Sequence, residues 1–225
     1  NVRASMEKLG LEGIVAIGGD DTLGVADKLT KMGMPMVGVP KTIDNDLSCT
    51  DFTFGFDTAS NITMDCLERL HTTAKSHMRI MVVEIMGRHT GWIAYQAGLA
   101  GNAHMVLVPE FPKTVDEIVS VIDRRTKAGK EYTVIAVAEG FTLEGMNDSD
   151  LPRDSFGNVD MTKKAIGETL ARVLEERTGQ ESRHVVLGHV QRGGAPSAFD
   201  RVLGLRLGIK AGQLVVEKDY GNMVA

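Results

Sequence analysis

The sequence predicts an α/β protein with open, largely parallel sheets flanked by helices on both faces. Apolar runs of four to seven residues alternate with longer helical patterns, the order in which βαβ units are written. Several runs, such as Ile14-Val15-Ala16-Ile17 and Val134-Ile135-Ala136-Val137-Ala138, are apolar at every position, as expected of strands covered on both faces. Two of them end in short polar segments rich in Gly, Asp and Lys, and the carboxyl ends of strands are where open α/β sheets bind ligands.

Taken in order, the opening Val2-Arg3-Ala4-Ser5-Met6-Glu7-Lys8-Leu9 reads as the tail of a helix. Strands are expected near 13–17, 35–39, 79–85, 104–108, 132–138 and 183–188, and helices near 22–32, 57–75, 90–100, 114–128, 161–177 and 197–217. Thr114 and Glu117 have capping-box spacing and set the start of the helix near 114. Gly33, Gly129 and Gly179 follow helical patterns, where a left-handed closing residue is wanted. The segment 141–160, with Gly145, Asn147, Asp148, Pro152, Gly157 and Asn158, lacks periodicity and is expected to be an exposed loop. Met223-Val224-Ala225 reads as the start of a strand. Neither end looks like a natural terminus, so an internal fragment of a longer protein is expected.

At 225 residues and 43% hydrophobic content the chain can build one large α/β domain or two smaller ones. The net charge of −5 means that anions must be bound by local clusters of Lys, Arg and His, and it disfavours a nucleic-acid partner. No stretch approaches the apolar length of a membrane helix, and no secretory signal is seen. Cys49 and Cys66 form neither a CxxC motif nor a disulfide framework, which suits a reducing cytoplasm.

The chemistry concentrates in the two polar segments. Gly18-Gly19-Asp20-Asp21-Thr22 supplies glycine backbone and carboxylates, while Pro40-Lys41-Thr42-Ile43-Asp44-Asn45-Asp46 supplies an ammonium and more carboxylates. Together they suit a polyphosphate with its magnesium ion and a base for an attacking hydroxyl. Asp20 alone fits an Asx turn or helix N-cap; beside the second loop it reads as a magnesium ligand, since magnesium takes one or two carboxylates plus phosphate oxygens. Asp44 and Asp46 are one residue apart, so in an extended segment both carboxylates face the same way. In isolation they would pass as a solvated acidic turn. Thr42 can donate to a phosphate or sugar oxygen, and Lys41 can neutralise charge developing between two phosphoryl groups.

Arg79, Arg88, Arg183, His189 and Arg192 are the candidate anion clamps; any one of them by itself would be read as a surface residue. Bidentate guanidinium contacts suit a phosphate better than lysine does. Met86 alone would be core filler. Glu139 closes an apolar run and can accept hydrogen bonds from sugar hydroxyls, or serve as a capping or salt-bridge carboxylate. His71 and His77 lack zinc-ligand spacing, and there is no Walker A sequence, GxGxxG or Ser-His-Asp signal.

At these residues the chain resembles the phosphofructokinase family, and within it the pyrophosphate-dependent branch. The resemblance continues in family order through Ser76-His77-Met78-Arg79, Val83-Glu84-Ile85-Met86-Gly87-Arg88, Val108-Pro109-Glu110, Ala138-Glu139-Gly140 and Leu187-Gly188-His189-Val190-Gln191-Arg192-Gly193-Gly194, nearly the whole chain. It implies two interleaved domains with the active site in the cleft between them: residues 1–56 and 190–225 for the phosphoryl donor, 57–189 for the sugar phosphate. It also implies that an earlier glycine-rich phosphate loop precedes the part seen here.

The resemblance implies transfer of a phosphoryl group from pyrophosphate to the C1 hydroxyl of fructose 6-phosphate, reversibly, in glycolysis and gluconeogenesis. Asp44 matches the base, Asp20 the metal-site aspartate, and Asp46 would help organise Mg2+ and its waters. Gly18, Gly19, Asp21 and Lys41 would meet the donor. ATP-using branches typically have glycine where Asp21 stands; two like charges at 4 Å cost about 1 kcal/mol in water and about 4 kcal/mol at an effective dielectric of 20, so Asp21 would repel a nucleotide α-phosphate. Lys41 stands where ATP-using bacterial members often have glycine, although some ATP users also carry lysine there. Within the sugar motif Gly87 would let backbone approach the sugar and Arg88 reach phosphate. Met86, Gly87, Arg88, Thr42, Asp44 and Glu139 would form the sugar site, His189 and Arg192 would hold the 6-phosphate, and Arg79 and Arg183 would reach it from a neighbouring subunit. A homodimer or homotetramer follows from that. The alternatives are an ATP-dependent 6-phosphofructokinase and a non-catalytic regulatory subunit of the same fold.

Overall fold

The computed structural model describes residues 2–143, 152 and 164–225. Within them the chain divides into two compact units, one made of residues up to Asp57 together with Ala195–Ala225, the other of Thr58–Gly194.

The first unit holds helix α1 (Val2–Leu9), strand β1 (Ile14–Gly18), helix α2 (Asp20–Lys31), strand β2 (Met36–Thr42), the two-residue strand β3 (Phe54–Gly55), helix α7 (Ala198–Glu217) and the short strand β8 (Asn222–Met223). All its strand pairs are parallel: β1 lies along β2, while β8 pairs with the start of β2 and β3 with its end. Alternation along β2 assigns its faces. Val37 and Val39 pack with Leu207, Ala211 and Leu214 of α7. Met36 joins Ala26 of α2 and Met6 of α1 on the other side. The unit is therefore wound on both faces of its sheet.

The second unit holds the rest of α3 (Phe56–Ser76), β4 (Ile80–Ile85), α4 (Trp92–Ala100), β5 (Met105–Leu107), α5 (Val115–Lys127), β6 (Thr133–Ala138), α6 (Ile166–Thr178), β7 (Ser182–Val186) and a 3-10 helix, Gly188–Arg192. Its sheet is parallel in the order β5-β6-β4-β7. The central strands β4 and β6 are buried at every residue, as strands covered on both faces must be. Ile80, Val82, Ile135 and Val137 meet Ile118 and Ile122 of α5 and Ile166, Leu170 and Leu174 of α6. On the opposite face α4 comes so close that a Cβ on Gly98 would lie 2.6 Å from Val106.

The expected elements are present, with shifted ends. The capping box at Thr114 and Glu117 is formed in full. Gly33, Gly129 and Gly179 all have left-handed φ, between 69° and 77°. Helix α2 begins at Asp20 rather than 22. Strand β2 runs on through Pro40, Lys41 and Thr42, because Lys41 and Thr42 pair with Phe54 and Gly55; a two-residue strand shows no alternation to read. The expected strand 183–188 ends at Val186 and passes into the 3-10 helix. The loop expected over 141–160 falls mostly outside the described residues, as do 161–163, and the helix expected from 161 begins at Ile166.

Candidate active site

In the first unit, parallel pairing sets Gly18 opposite Pro40, so both polar segments leave the same edge of one sheet. Gly18 turns tightly into α2, where a Cβ would fall 2.5 Å from the Thr22 side chain. Gly19 is the N-cap of α2 and passes over the end of β2; its Cβ would lie 3.3 Å from that of Thr42. Asp20 and Asp21 occupy the first helical turn, which has no side-chain cap. Its amide groups and dipole favour negative charge. Asp20 is exposed, Asp21 half-buried, and Lys41 exposed at the end of β2.

The segment after β2 is a closed loop. Thr42 Oγ1 accepts the Asp44 N–H at 3.1 Å and donates to Asp44 Oδ2 at 3.4 Å. Asp44 is buried, with 8% of its surface exposed. Asn45 has φ of 52°, a left-handed conformation that asparagine tolerates. Strand alternation therefore does not relate Asp44 to Asp46; the backbone turns between them, and Asp46 is exposed. The turn is locked from behind. Thr53, with no exposed surface, donates its hydroxyl to the Thr42 carbonyl at 2.8 Å and its N–H to Asn45 Oδ1 at 2.9 Å. Asn45 Nδ2 in turn donates to the Asp51 carbonyl. Sequence reasoning missed Thr53 and passed over Asn45, because the bonds span up to eleven positions.

In the second unit, Met86, Gly87 and Arg88 leave β4, and Glu139 leaves β6 at the matching level, with Ile85 paired to Ala138. Gly87 has φ of 153°, and a Cβ there would sit 2.6 Å from the Thr90 carbonyl oxygen. Arg88 is left-handed at 52°. Glu139 Oε1 accepts the N–H groups of both, at 3.1 Å from Gly87 and 2.8 Å from Arg88. Burial raises the Glu139 carboxyl above the usual range; the Arg88 and Gly87 N–H groups lower it, the Glu84 carboxylate raises it, and Arg192 lowers it. Glu139 is thus a loop clamp as well as a polar group at the strand end.

His189 and Arg192 are exposed on the 3-10 helix. Between them Gln191 is buried, accepting from Thr63 of α3 at 3.1 Å and donating to the Gly188 carbonyl. Glu110 accepts the Gly91 N–H at 2.8 Å and holds the start of α4.

Arg79 and Arg183 are not brought to this edge. Both lie at the starting ends of β4 and β7, bridged by Glu181: Arg79 at 3.2 Å and Arg183 at 2.6 Å. Six strand residues of β4, about 20 Å at 3.3 Å per residue, separate Arg79 from the Arg88 end. One chain cannot direct all these guanidinium groups at one ligand. Among the described residues, no three His, Cys, Asp or Glu side chains converge as a metal cluster, and no helix is long and apolar enough to cross a membrane.

The family model described as Phosphofructokinase matches residues 1–215. A protein of Amycolatopsis methanolica named pyrophosphate--fructose 6-phosphate 1-phosphotransferase is 53% identical over all of this chain and 65% of its own length. A protein of Streptomyces coelicolor named ATP-dependent 6-phosphofructokinase 3 is 47% identical over 99% of this chain and 65% of its own. The crystal structure of Pichia pastoris phosphofructokinase in the T-state superposes with a TM-score of 0.76 at 31% identity, over 96% of this chain and 23% of that one. The chain spans a little under two thirds of the length of these curated relatives. With a parallel sheet in each unit, strand-end loops carrying the motif residues and a family match over almost every position, the chain belongs to the phosphofructokinase family.

Proposed function

We propose that the full-length protein carrying these residues transfers a phosphoryl group from pyrophosphate to the C1 hydroxyl of fructose 6-phosphate. The products are fructose 1,6-bisphosphate and phosphate. The observation that carries the donor choice is that a half-buried Asp21 in the first turn of α2 and an exposed Lys41 near the end of the neighbouring parallel strand leave the same end of one sheet. An aspartate there takes the space and opposes the charge of a nucleotide α-phosphate, and Lys41 offers a positive charge to a compact diphosphate. The name borne by the relative 53% identical to this chain supports the reading. The reaction is reversible, because the donor bond and the product ester differ little in energy.

The first unit, residues up to Asp57 with Ala195–Ala225, is the donor half. Backbone at Gly18 and Gly19 and the α2 amino end face phosphate oxygens. Asp44 takes the C1 hydroxyl proton, its carboxylate oriented by Thr42. The donor set fits magnesium, which needs only one or two carboxylates besides water and phosphate: Asp20 and Asp46, both exposed, would hold the ion. The ion would neutralise phosphate charge. The second unit is the acceptor half, with Met86, Gly87, Arg88 and Glu139 on the sugar and His189 and Arg192 on its phosphate. Arg79 and Arg183, facing the other end of their strands, serve a second copy of the chain in a homodimer or homotetramer. Cysteine usage favours the cytoplasm.

The 47% identity to a relative named as ATP-dependent favours a second reading, with ATP as donor. A coupled assay of the full-length protein with magnesium and fructose 6-phosphate, comparing pyrophosphate with ATP at equal concentration, separates the two. Turnover with pyrophosphate alone is expected. Turnover with ATP alone overturns the donor, and activity with neither turns the assignment to a non-catalytic regulatory subunit.

A further inference from the structure

Two buried charged groups in the second unit have no part in that scheme. Glu84, in the middle sheet position of β4, is 6% exposed, and Lys164, just before α6, is 3% exposed. Glu84 Oε2 accepts the Gly167 N–H at 2.7 Å, so it caps α6 from the sheet. Gly167 permits this approach, since a Cβ there would lie 3.0 Å from that oxygen. Burial raises the Glu84 carboxyl, opposed by the Gly167 N–H, His184 and Lys164. The Lys164 Nζ reaches the turn that follows β6. It donates to the Gly140 carbonyl at 3.0 Å and to Thr142 Oγ1 at 2.8 Å.

That turn is in contact with the acceptor loop. A Cβ on Gly140 would fall 2.3 Å from the Arg88 carbonyl oxygen, so the two backbones pass within close reach. The preceding residue, Glu139, holds the Gly87 and Arg88 N–H groups through one oxygen. The chain of contacts therefore runs from Lys164 to Gly140 and Glu139, and from these to Gly87 and Arg88. The Lys164 end and the turn resist drift: Ile166 at the start of α6 and Phe141 in the turn are fully buried in the same core.

We propose that Lys164 is a positioning residue for the sugar phosphate: by gripping the Gly140 carbonyl and the Thr142 hydroxyl it fixes the turn after β6 and, through Glu139, the Gly87–Arg88 backbone. This rests on the reading of that loop as the acceptor site. A buried ammonium is costly unless hydrogen-bonded, and the Gly140 carbonyl and Thr142 hydroxyl supply it with acceptors.

The test uses the full-length protein and its Lys164→Met variant. Amide exchange at Gly87 and Arg88 is expected to quicken about tenfold or more while the central β4 amides keep their protection. The KM for fructose 6-phosphate should rise about tenfold to a hundredfold with the KM for pyrophosphate unchanged. In a Glu139→Ala background, where the loop has already lost its clamp, Lys164→Met should add less than about twofold. Lys164→Arg, which keeps both donors, should recover most of the loss. If Lys164→Met does not fold, Thr142→Val removes one acceptor alone and should shift exchange and KM the same way by less. Unchanged exchange and sugar KM in the folded variant overturn the proposal, as does full additivity with Glu139→Ala. Faster exchange at Gly87 and Arg88 in a protein whose wild type uses no fructose 6-phosphate keeps the positioning and removes the acceptor reading.

Discussion

Removing the Glu139 carboxylate tests how the second unit holds the Gly87–Arg88 loop. One oxygen accepts two backbone N–H groups, and the second belongs to Arg88, a non-glycine residue at φ of 52°. Glu139→Ala leaves both donors without that acceptor. Each unsatisfied buried donor costs about 1–3 kcal/mol; the left-handed conformation of Arg88, worth roughly 1–2 kcal/mol, is borne in the wild type as well and adds nothing to the difference. Water reaches this half-buried edge, so the low end applies, about 2 kcal/mol for the clamp. The loop relaxes in the free protein, and a ligand that needs it ordered must restore it; 2 kcal/mol corresponds to about thirtyfold in affinity. Calorimetric titration with fructose 6-phosphate should show that loss, with a melting temperature several degrees lower. Glu139→Gln keeps an acceptor oxygen and should recover the melting temperature, though not all of the sugar affinity. If Glu139→Ala melts and exchanges at Gly87 and Arg88 like the wild type, the clamp does not exist. If Glu139→Gln melts as low as Glu139→Ala, charge rather than hydrogen bonding holds the loop.

Other outcomes follow from the same geometry. Asp44→Asn should lower kcat by about a hundredfold or more with little change in sugar binding, and wild-type turnover removes Asp44 as the base. Asp21→Gly should admit nucleotide, read as the ratio of ATP to pyrophosphate turnover; an unchanged ratio refutes the role of Asp21. Thr53→Val leaves the Thr42 carbonyl and Asn45 amide without the buried hydroxyl, costing about 1–3 kcal/mol in urea unfolding and lowering kcat with Asp44 out of place; stability and kcat both at the wild-type level count against the lock. His104 has its pKa pushed down to about 4 by burial, with Arg125, His71 and Lys130 adding to the effect. The folded state thus takes its proton later than the unfolded chain, so the stability is complete above the ordinary value near 6.5 and falls as pH drops from there toward 4. Unfolding free energy should decline between about pH 6.5 and about pH 4, with an NMR midpoint for His104 near 4; a midpoint near 6.5 refutes the burial argument.

Much of the fold is local and so could be read from the chain. Val134 to Ala138 is apolar at every position because β6 is central, and Thr114 with Glu117 marks a helix start through bonds only three residues long. Strand ends were harder. Lys41 and Thr42 are strand because Phe54 and Gly55 lie beside them, and no periodicity announces a two-residue partner. Asp44 and Asp46 were related by an alternation that Asn45 breaks with its positive φ.

What the sequence determined by itself was the class of fold, the family motifs and which strand ends carry polar residues, because hydrophobic period and capping chemistry act within a few positions. Only tertiary structure decided that Thr53 locks the turn of Asp44, that Glu181 gathers Arg79 and Arg183 at the far end of their strands, and that Lys164 grips the turn behind Glu139. Those contacts join residues on separate elements. The parallel register of the strands and the burial of particular polar atoms bring them together, and neither is written in any local pattern.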